Sequence, residues 1–246
     1  SDEMNVSEFV LKATPPRMPC AALVRERLQA AWHQNHGRAV LALTAPPGFG
    51  KTTLLLQWGR CWLDAGTPVA WVSAGENDHP ARFALALGHA LRVGGVLQAL
   101  PEDEGDWRTD DVWPGLTQLL AAIAQRSTPV VLVIDDAQRL PEEGARATLQ
   151  DLMLNAPANL HVAIGSRVSL PLGLSELAAK DQLAKLGTED LRLRFEESNA
   201  ILVSRLGERL TLDDRAHLHD ATEGWPIGLQ LAIGEIERSE DPGLAV

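Results

Sequence analysis

The sequence predicts an α/β fold with a mostly parallel sheet, followed by a small all-helical appendage. Three observations predict it. As far as residue 195, short apolar runs alternate with segments that are apolar at helical spacing. The runs are near-continuous rather than alternating, as in strands buried on both faces. From Glu196 onward the periodicity is helical only. The pattern divides the chain into 1–195, a sheet domain with its lead-in, and 196–246, the appendage. At 246 residues the chain can bury a full core.

The stretch through Pro19, with Pro15, Pro16 and Pro19, reads as an irregular lead-in. Leu23 to Trp32 then reads as a helix that Gly37 ends, and Ala39 to Thr44 as a strand meeting a Pro-Gly turn. Lys51 to Leu63 is helical, with Leu55, Trp58 and Trp62 on one core-facing side. A strand over Pro68 to Ser73, helices over Ala81 to Leu91 and Leu116 to Gln125, and a strand over Val130 to Ile134 continue the alternation. A helix over Glu142 to Leu154 and a strand over Leu160 to Gly165 follow, and Leu191 to Phe195 reads as one more strand. The appendage carries helices near Ser198 to Leu206, Asp213 to Ala221 and Pro226 to Glu237. The last residues, ERSEDPGLAV, have the polar, Pro-Gly composition of a linker.

A net charge of -11 argues against this segment touching DNA, because an acidic surface repels a phosphate backbone. No apolar run approaches membrane-spanning length and the start lacks signal-peptide character, so the expectation is a cytoplasmic protein without membrane contact. Cys20 and Cys61 stand apart, as reduced packed thiols do.

The chemistry concentrates in Ala45-Pro46-Pro47-Gly48-Phe49-Gly50-Lys51-Thr52. This matches the P-loop pattern except that Ala45 replaces the first glycine. Gly48 and Gly50 let the backbone turn its N–H groups around phosphate oxygens. Lys51 supplies a flexible charge for the outer phosphates, Thr52 a hydroxyl for Mg²⁺, and the following helix its positive end. A strand before and a helix after are the context such a loop requires, so the fold class becomes a three-layer P-loop NTPase. Val130 to Ile134 delivers Asp135 and Asp136 at a strand end, where Asp135 is placed to hold Mg²⁺ and Asp136 to orient an attacking water. The wide gap between Lys51 and Asp135 holds another strand and several helices, which allows the strand ending in Asp135 to be inserted elsewhere in the sheet. The strand over Leu160 to Gly165 ends in Ser166-Arg167, which brings a guanidinium toward the γ-phosphate; position alone equally allows a solvated arginine.

Four segments carry a family resemblance: APPGFGKTTLLLQW (45–58), VLVIDDAQRL (131–140), GSR (165–167) and TEGWPIGLQLA (222–232). With VAWVSAGENDHPARF (69–83) they span nearly the whole chain, and it resembles the nucleotide-binding module of STAND-type ATPases in MalT-like, large LuxR-type bacterial regulators. The resemblance implies that Pro226 packs near the adenine, that Arg25 belongs to an adenine-pocket element, and that Arg167 contacts the γ-phosphate. It also implies a closed resting monomer with ADP and an assembled active state with ATP and an inducer. Neither a helix-turn-helix module nor a helical repeat array is visible, so the chain looks like part of a larger regulator, with self-association or that regulator's other domains as partners.

The expected ligands are ATP or ADP with Mg²⁺. Their contacts fall on Arg25, Arg167, Pro226 and the loop residues Pro47, Gly48, Phe49, Gly50, Lys51, Thr52 and Thr53. Thr52 and Asp135 would hold the metal, with Lys51, Asp135, Asp136 and Arg167 as the catalytic set. His217 and His219, two apart on a helix, point to different sides, and His33 and His36 suit a helix C-terminus. The acidic residues Glu102 to Glu104, Asp106, Asp110 and Asp111 read as a solvated turn. The expected function is an ATP/ADP-controlled switch in a transcriptional regulator, with slow hydrolysis. A small-molecule kinase or other metabolic P-loop enzyme, and a non-hydrolysing binding module, remain open alternatives.

Overall fold

The computed structural model describes residues 5–20, 22–99 and 111–239. Five strands form one wholly parallel sheet: β1 (Val40–Thr44), β2 (Val69–Ser73), β3 (Val130–Asp135), β4 (Leu160–Ser166) and β5 (Leu183–Leu186), in the order β2-β3-β4-β1-β5. The phosphate-loop strand β1 and the acidic strand β3 are therefore separated by β4. Register keeps the carboxyl ends level, with Thr44 opposite Ser166 and Ser73 opposite Asp135.

Strand periodicity divides the core between the two faces. Leu132, Ile134, Val162 and Ile164 pack with residues of α4 (Pro80–Val93), α5 (Trp113–Arg126) and α6 (Ala145–Leu154). Leu41, Leu43, Val131 and Val133 pack instead with α2 (Glu26–Asn35) and α3 (Lys51–Asp64). On α3, Leu55, Trp58 and Trp62 are all buried, and the Trp58 indole donates to the Leu28 carbonyl at 3.1 Å, pinning α2 to α3. Short helices α7 (Ser175–Ala179) and α8 (Thr188–Leu191) flank β5. Helices α9 (Phe195–Leu206), α10 (Leu212–Thr222) and α11 (Pro226–Arg238) enclose a third apolar cluster around Leu202, Leu229 and Ile233.

The structure departs from the sequence reading in several places, three of which bear on how the site is held. The lead-in is not wholly irregular. Val6–Lys12 forms a helix, α1, whose N-terminus is capped by the Asn5 side chain accepting from Ser7 N–H at 3.0 Å. Phe9 is buried and stacks on His89, and Lys12 donates to the Ser73 carbonyl and pairs with Asp78 at 2.6 Å, tying α1 to the edge strand β2. Second, Leu191 to Phe195 is not a strand. Leu191 and Leu193 are buried because this linker runs between two apolar clusters, with Leu193 N–H donating to the Gly224 carbonyl at 2.8 Å. The fifth strand is Leu183–Leu186, whose four residues include the exposed Lys185. Third, α2 begins at Glu26 rather than Leu23, because Arg25 takes an extended conformation as its N-cap.

Cys20 and Cys61 are free thiols, Cys61 half-buried but Cys20 exposed rather than packed. His36 caps α2 and stacks on Trp32, and His219 shares a 2.7 Å hydrogen bond with Ser198. Of the acidic turn only Asp111 is described; Glu102 to Glu104, Asp106 and Asp110 lie outside the described residues, as do residues 240–246 of the C-terminal stretch. Among the described residues no helix is long and apolar enough to cross a membrane.

Candidate functional site

The loop after β1 begins as an extension of the sheet, with Ala45 N–H donating to the Ser166 carbonyl at 3.2 Å. Ala45 is outside the left-handed region, so a methyl group costs nothing where the motif usually has glycine. Gly48 (φ +86°) and Gly50 (φ +82°) are left-handed, and Gly50 is the N-cap of α3, whose N–H groups face the loop's concavity. Lys51 is buried, and its ammonium donates to the carbonyls of Ala45 at 2.5 Å and Pro46 at 3.2 Å. Burial pushes the Lys51 amine below its usual range, against the opposing pull of Asp135 and Asp136. A cation held this way is under-compensated, and an anion in the loop would relieve it.

Asp135 reaches the loop across the intervening strand. Its Oδ2 accepts from the Thr52 hydroxyl at 2.7 Å. Gly165 on β4 makes this possible, since a Cβ there would lie 2.9 Å from both Asp135 Oδ1 and Leu55 Cδ1. Burial raises the Asp135 pKa and the Thr52 hydrogen bond opposes it, so this carboxylate too gains from a counter-ion. Among the described residues no three His, Cys, Asp or Glu side chains group around a metal position. A hydroxyl and one carboxylate nevertheless fit Mg²⁺, a hard cation that keeps several waters and binds through one or two protein oxygens plus phosphate.

Asp136 follows in the left-handed region (φ 54°), a conformation a non-glycine residue keeps only where its surroundings fix it. Gln138 does part of that fixing. Its Oε1 accepts from Arg167 N–H at 3.0 Å while its amide donates to Asp136 Oδ1 at 3.4 Å, bridging the ends of β3 and β4. The exposed Arg167 thereby shares one cleft of about 270 Å³ with Asp136, Pro47, Lys51 and Thr52.

A second cavity, of about 420 Å³, adjoins this cleft, and Gly48, Gly50 and Thr53 line both. Its walls are largely apolar, including Leu28, Phe49, Leu54, Ile201 and Pro226. The turn that supplies Pro226 is built residue by residue. Gly224 (φ +71°) lies so close to the linker that a Cβ would meet the Leu193 carbonyl at 2.4 Å. The Trp225 indole donates to the Pro47 carbonyl at 3.2 Å, and Ile227 N–H donates to the Gly48 carbonyl at 3.0 Å. Pro226 opens α11, where its missing N–H is no loss.

Arg25 lines the same cavity, but its polar atoms are engaged elsewhere. Its Nε and one terminal nitrogen hold Glu197, at 2.7 and 3.2 Å, while both terminal nitrogens donate to the carbonyls of Leu191 and Arg192. Arg27 adds a 2.9 Å bond to Glu197. Burial alone would raise the Glu197 pKa, but hydrogen bonds from Arg25, the Arg194 backbone and Arg27 bring it down to about 2. Arg25 thus forms part of the cavity wall, and its charge clamps α9 to the start of α2.

The structure therefore gathers Pro47, Gly48, Gly50, Lys51, Thr52, Thr53, Asp136 and Arg167 around one cleft, with Asp135 reaching it through Thr52, and Phe49, Arg25 and Pro226 around its neighbour. Sequence reasoning missed Trp225, Ile227, Gln138 and Glu197. Their partners lie across separate elements, as with the 178-residue separation of Trp225 and Pro47, and no local periodicity reports such contacts.

The chain is similar to known proteins. The model of the AAA ATPase domain family matches residues 19–164. The transcriptional regulator MalT of Yersinia enterocolitica is 29% identical over 212 residues, and that of Serratia proteamaculans 30%, each match covering 85% of this chain and 23% of the relative. The chain thus spans about a quarter of the length of these curated relatives. Among solved structures, Cdc6p from Pyrobaculum aerophilum superposes with a TM-score of 0.54 at 18% identity, over 95% of this chain and 64% of that one. The Walker-type ATPase of Pyrococcus abyssi gives 0.55 at 16% identity, over 94% and 72%. The two structures share the fold, and the sequence match extends over most of the sheet domain: the chain belongs to the AAA ATPase domain family and is similar to the MalT regulators.

Proposed function

We propose that the chain is an ATP/ADP-binding switch module of a signal-responsive transcriptional regulator, which hydrolyses ATP slowly. The observation that carries this reading is the junction of a phosphate-sized cleft holding Lys51, Thr52, Asp136 and Arg167 with an apolar cavity closed by Pro226 of the helical bundle. A nucleotide laid across Gly48, Gly50 and Thr53 has its phosphates in the first and its base in the second. The similarity to MalT supports the regulatory context. We divide the chain functionally into the P-loop domain, residues 1–195, and the helical appendage, 196–246. The acidic surface and the nucleotide cleft favour a cytoplasmic module that contacts the rest of its regulator, or a second copy, rather than DNA.

The roles follow from placement. Lys51 exchanges its loop carbonyls for phosphate oxygens, and Arg167 neutralises the outer phosphate from the opposite wall. Thr52 and Asp135 would hold Mg²⁺, which when bound would supply positive charge to the phosphates. Asp136, set by its left-handed backbone and Gln138, orients the water that attacks the γ-phosphorus, releasing ADP and phosphate. No acceptor-binding group other than water's position is needed. The test is Asp136→Asn: ATP affinity should stay within about twofold while phosphate release falls at least about a hundredfold, the range of general-base catalysis. Undiminished phosphate release removes Asp136 from the mechanism, and release of phosphate from neither protein leaves a binding module only.

A further inference from the structure

The contacts of Trp225 and Ile227 fall on the two carbonyls at the apex of the phosphate loop. This has a consequence through peptide geometry. A trans peptide is planar, with its C=O and N–H pointing in opposite directions, and no cis peptide occurs among the described residues. The Pro47 carbonyl belongs to the same peptide as Gly48 N–H, and the Gly48 carbonyl to the same peptide as Phe49 N–H. Both carbonyls are drawn toward the helical bundle, by the Trp225 indole at 3.2 Å and by Ile227 N–H at 3.0 Å. The two N–H groups are thereby turned the other way, and among the described residues neither donates to a protein acceptor.

The bundle's seat on the loop is close. A Cβ on Gly48 would lie 2.3 Å from Ile227 Cγ2 and 2.8 Å from the Trp225 Nε1, so the loop glycine serves the approach of the bundle as well as its own left-handed φ. Trp225 is seated in turn by a second glycine. A Cβ on Gly228 would lie 2.7 Å from the indole ring, so the absence of a side chain there lets the ring lie across the first turn of α11 with its N–H aimed at Pro47.

We infer that Trp225 is a positioning residue for the phosphate loop: from outside the cleft, it fixes the peptide that presents Gly48 N–H to the nucleotide's phosphates, with Ile227 N–H doing the same for Phe49 N–H. The bundle then contributes to phosphate affinity without touching a phosphate, and phosphate binding and bundle docking strengthen each other. Loss of one neutral hydrogen bond of this kind corresponds to about a three- to tenfold change in affinity.

This inference rests on the nucleotide-binding reading, and the experiment separates the two. ADP and adenosine are titrated against the wild-type chain, Trp225→Phe and Gly228→Ala, by displacement of a fluorescent ADP analogue, with circular dichroism confirming folding. Trp225→Phe keeps an aromatic ring but loses the N–H. Gly228→Ala keeps the indole but displaces it, and alanine is the better helix former, so the helix itself is not weakened. The expected result is a three- to tenfold loss of ADP affinity in both variants with adenosine affinity unchanged. An equal loss for adenosine and ADP makes the indole a wall of the base cavity and overturns the inference, as does unchanged ADP affinity in both variants. Failure of the wild-type chain to bind ADP overturns the nucleotide reading itself.

Discussion

Two of the contacts that hold the helical bundle to the sheet domain are built differently. At one end of the linker, Glu197 receives the guanidinium groups of Arg25 and Arg27, and Arg25 also caps the carbonyls of Leu191 and Arg192. At the other contact, one indole N–H and one backbone N–H from the α11 turn rest on the carbonyls of Pro47 and Gly48. The first tie joins partly buried charges that are paired within the protein, although the buried Arg27 Nε has no hydrogen-bond partner there. The second consists of neutral hydrogen bonds shared with the phosphate loop, half exposed at Trp225. A phosphate in the cleft would bear directly on the second, because the two carbonyls belong to the loop's own peptides. On the proposed reading the first would serve as a hinge and the second as the contact that responds to nucleotide.

The largest stability effect should come from breaking the hinge. Glu197→Ala leaves two guanidinium groups facing each other without their carboxylate, which should destabilise the chain by about 3 kcal/mol, measurable by urea unfolding. Its pH dependence has a definite sign. The folded-state pKa of Glu197 is about 2 against an ordinary 4.5, so its contribution is present above pH 4.5 and is lost as pH falls toward 2. Wild type should therefore lose about 3 kcal/mol more than Glu197→Gln across that window. Parallel curves for the two proteins would show that the clamp is not a hinge.

A smaller effect tests the phosphate side. Gly165→Ala places a methyl group 2.9 Å from Asp135 Oδ1, so the carboxylate must leave Thr52 or Leu55 must shift. Magnesium-dependent ATP affinity should fall about tenfold, in keeping with loss of a charge-assisted contact, with the bundle still docked. Full Mg²⁺ dependence in that variant would mean that Asp135 holds no metal. The Trp225 and Gly228 substitutions, at three- to tenfold, complete the series from the other contact.

The sequence showed one half of this comparison far better than the other. The phosphate loop is a contiguous motif, and β3 is an uninterrupted apolar run ending in Asp135-Asp136, so local pattern located both and the structure joins them through Thr52 and Asp135. The helices of the bundle were equally legible from their spacing. Its attachments were not. Glu197 looks like one of several acidic residues opening a helix, and only the fold brings it to Arg25, 172 positions earlier. The true fifth strand was hidden because four residues with an exposed lysine give little periodicity, while Leu191 and Leu193 mimic a strand by being buried under a linker. The α1 helix was masked by the prolines that follow it, although Asn5 and Phe9 mark its cap and its buried face.

The central claim, that this cleft binds a nucleotide through its phosphates, is tested most directly by calorimetric titration of ATP and ADP into the wild-type chain and Lys51→Ala, each first freed of retained nucleotide. Saturable one-to-one binding that disappears in Lys51→Ala, with the variant still folded, is the predicted result. Equal affinity in the two proteins, or no binding by the wild type, would contradict it.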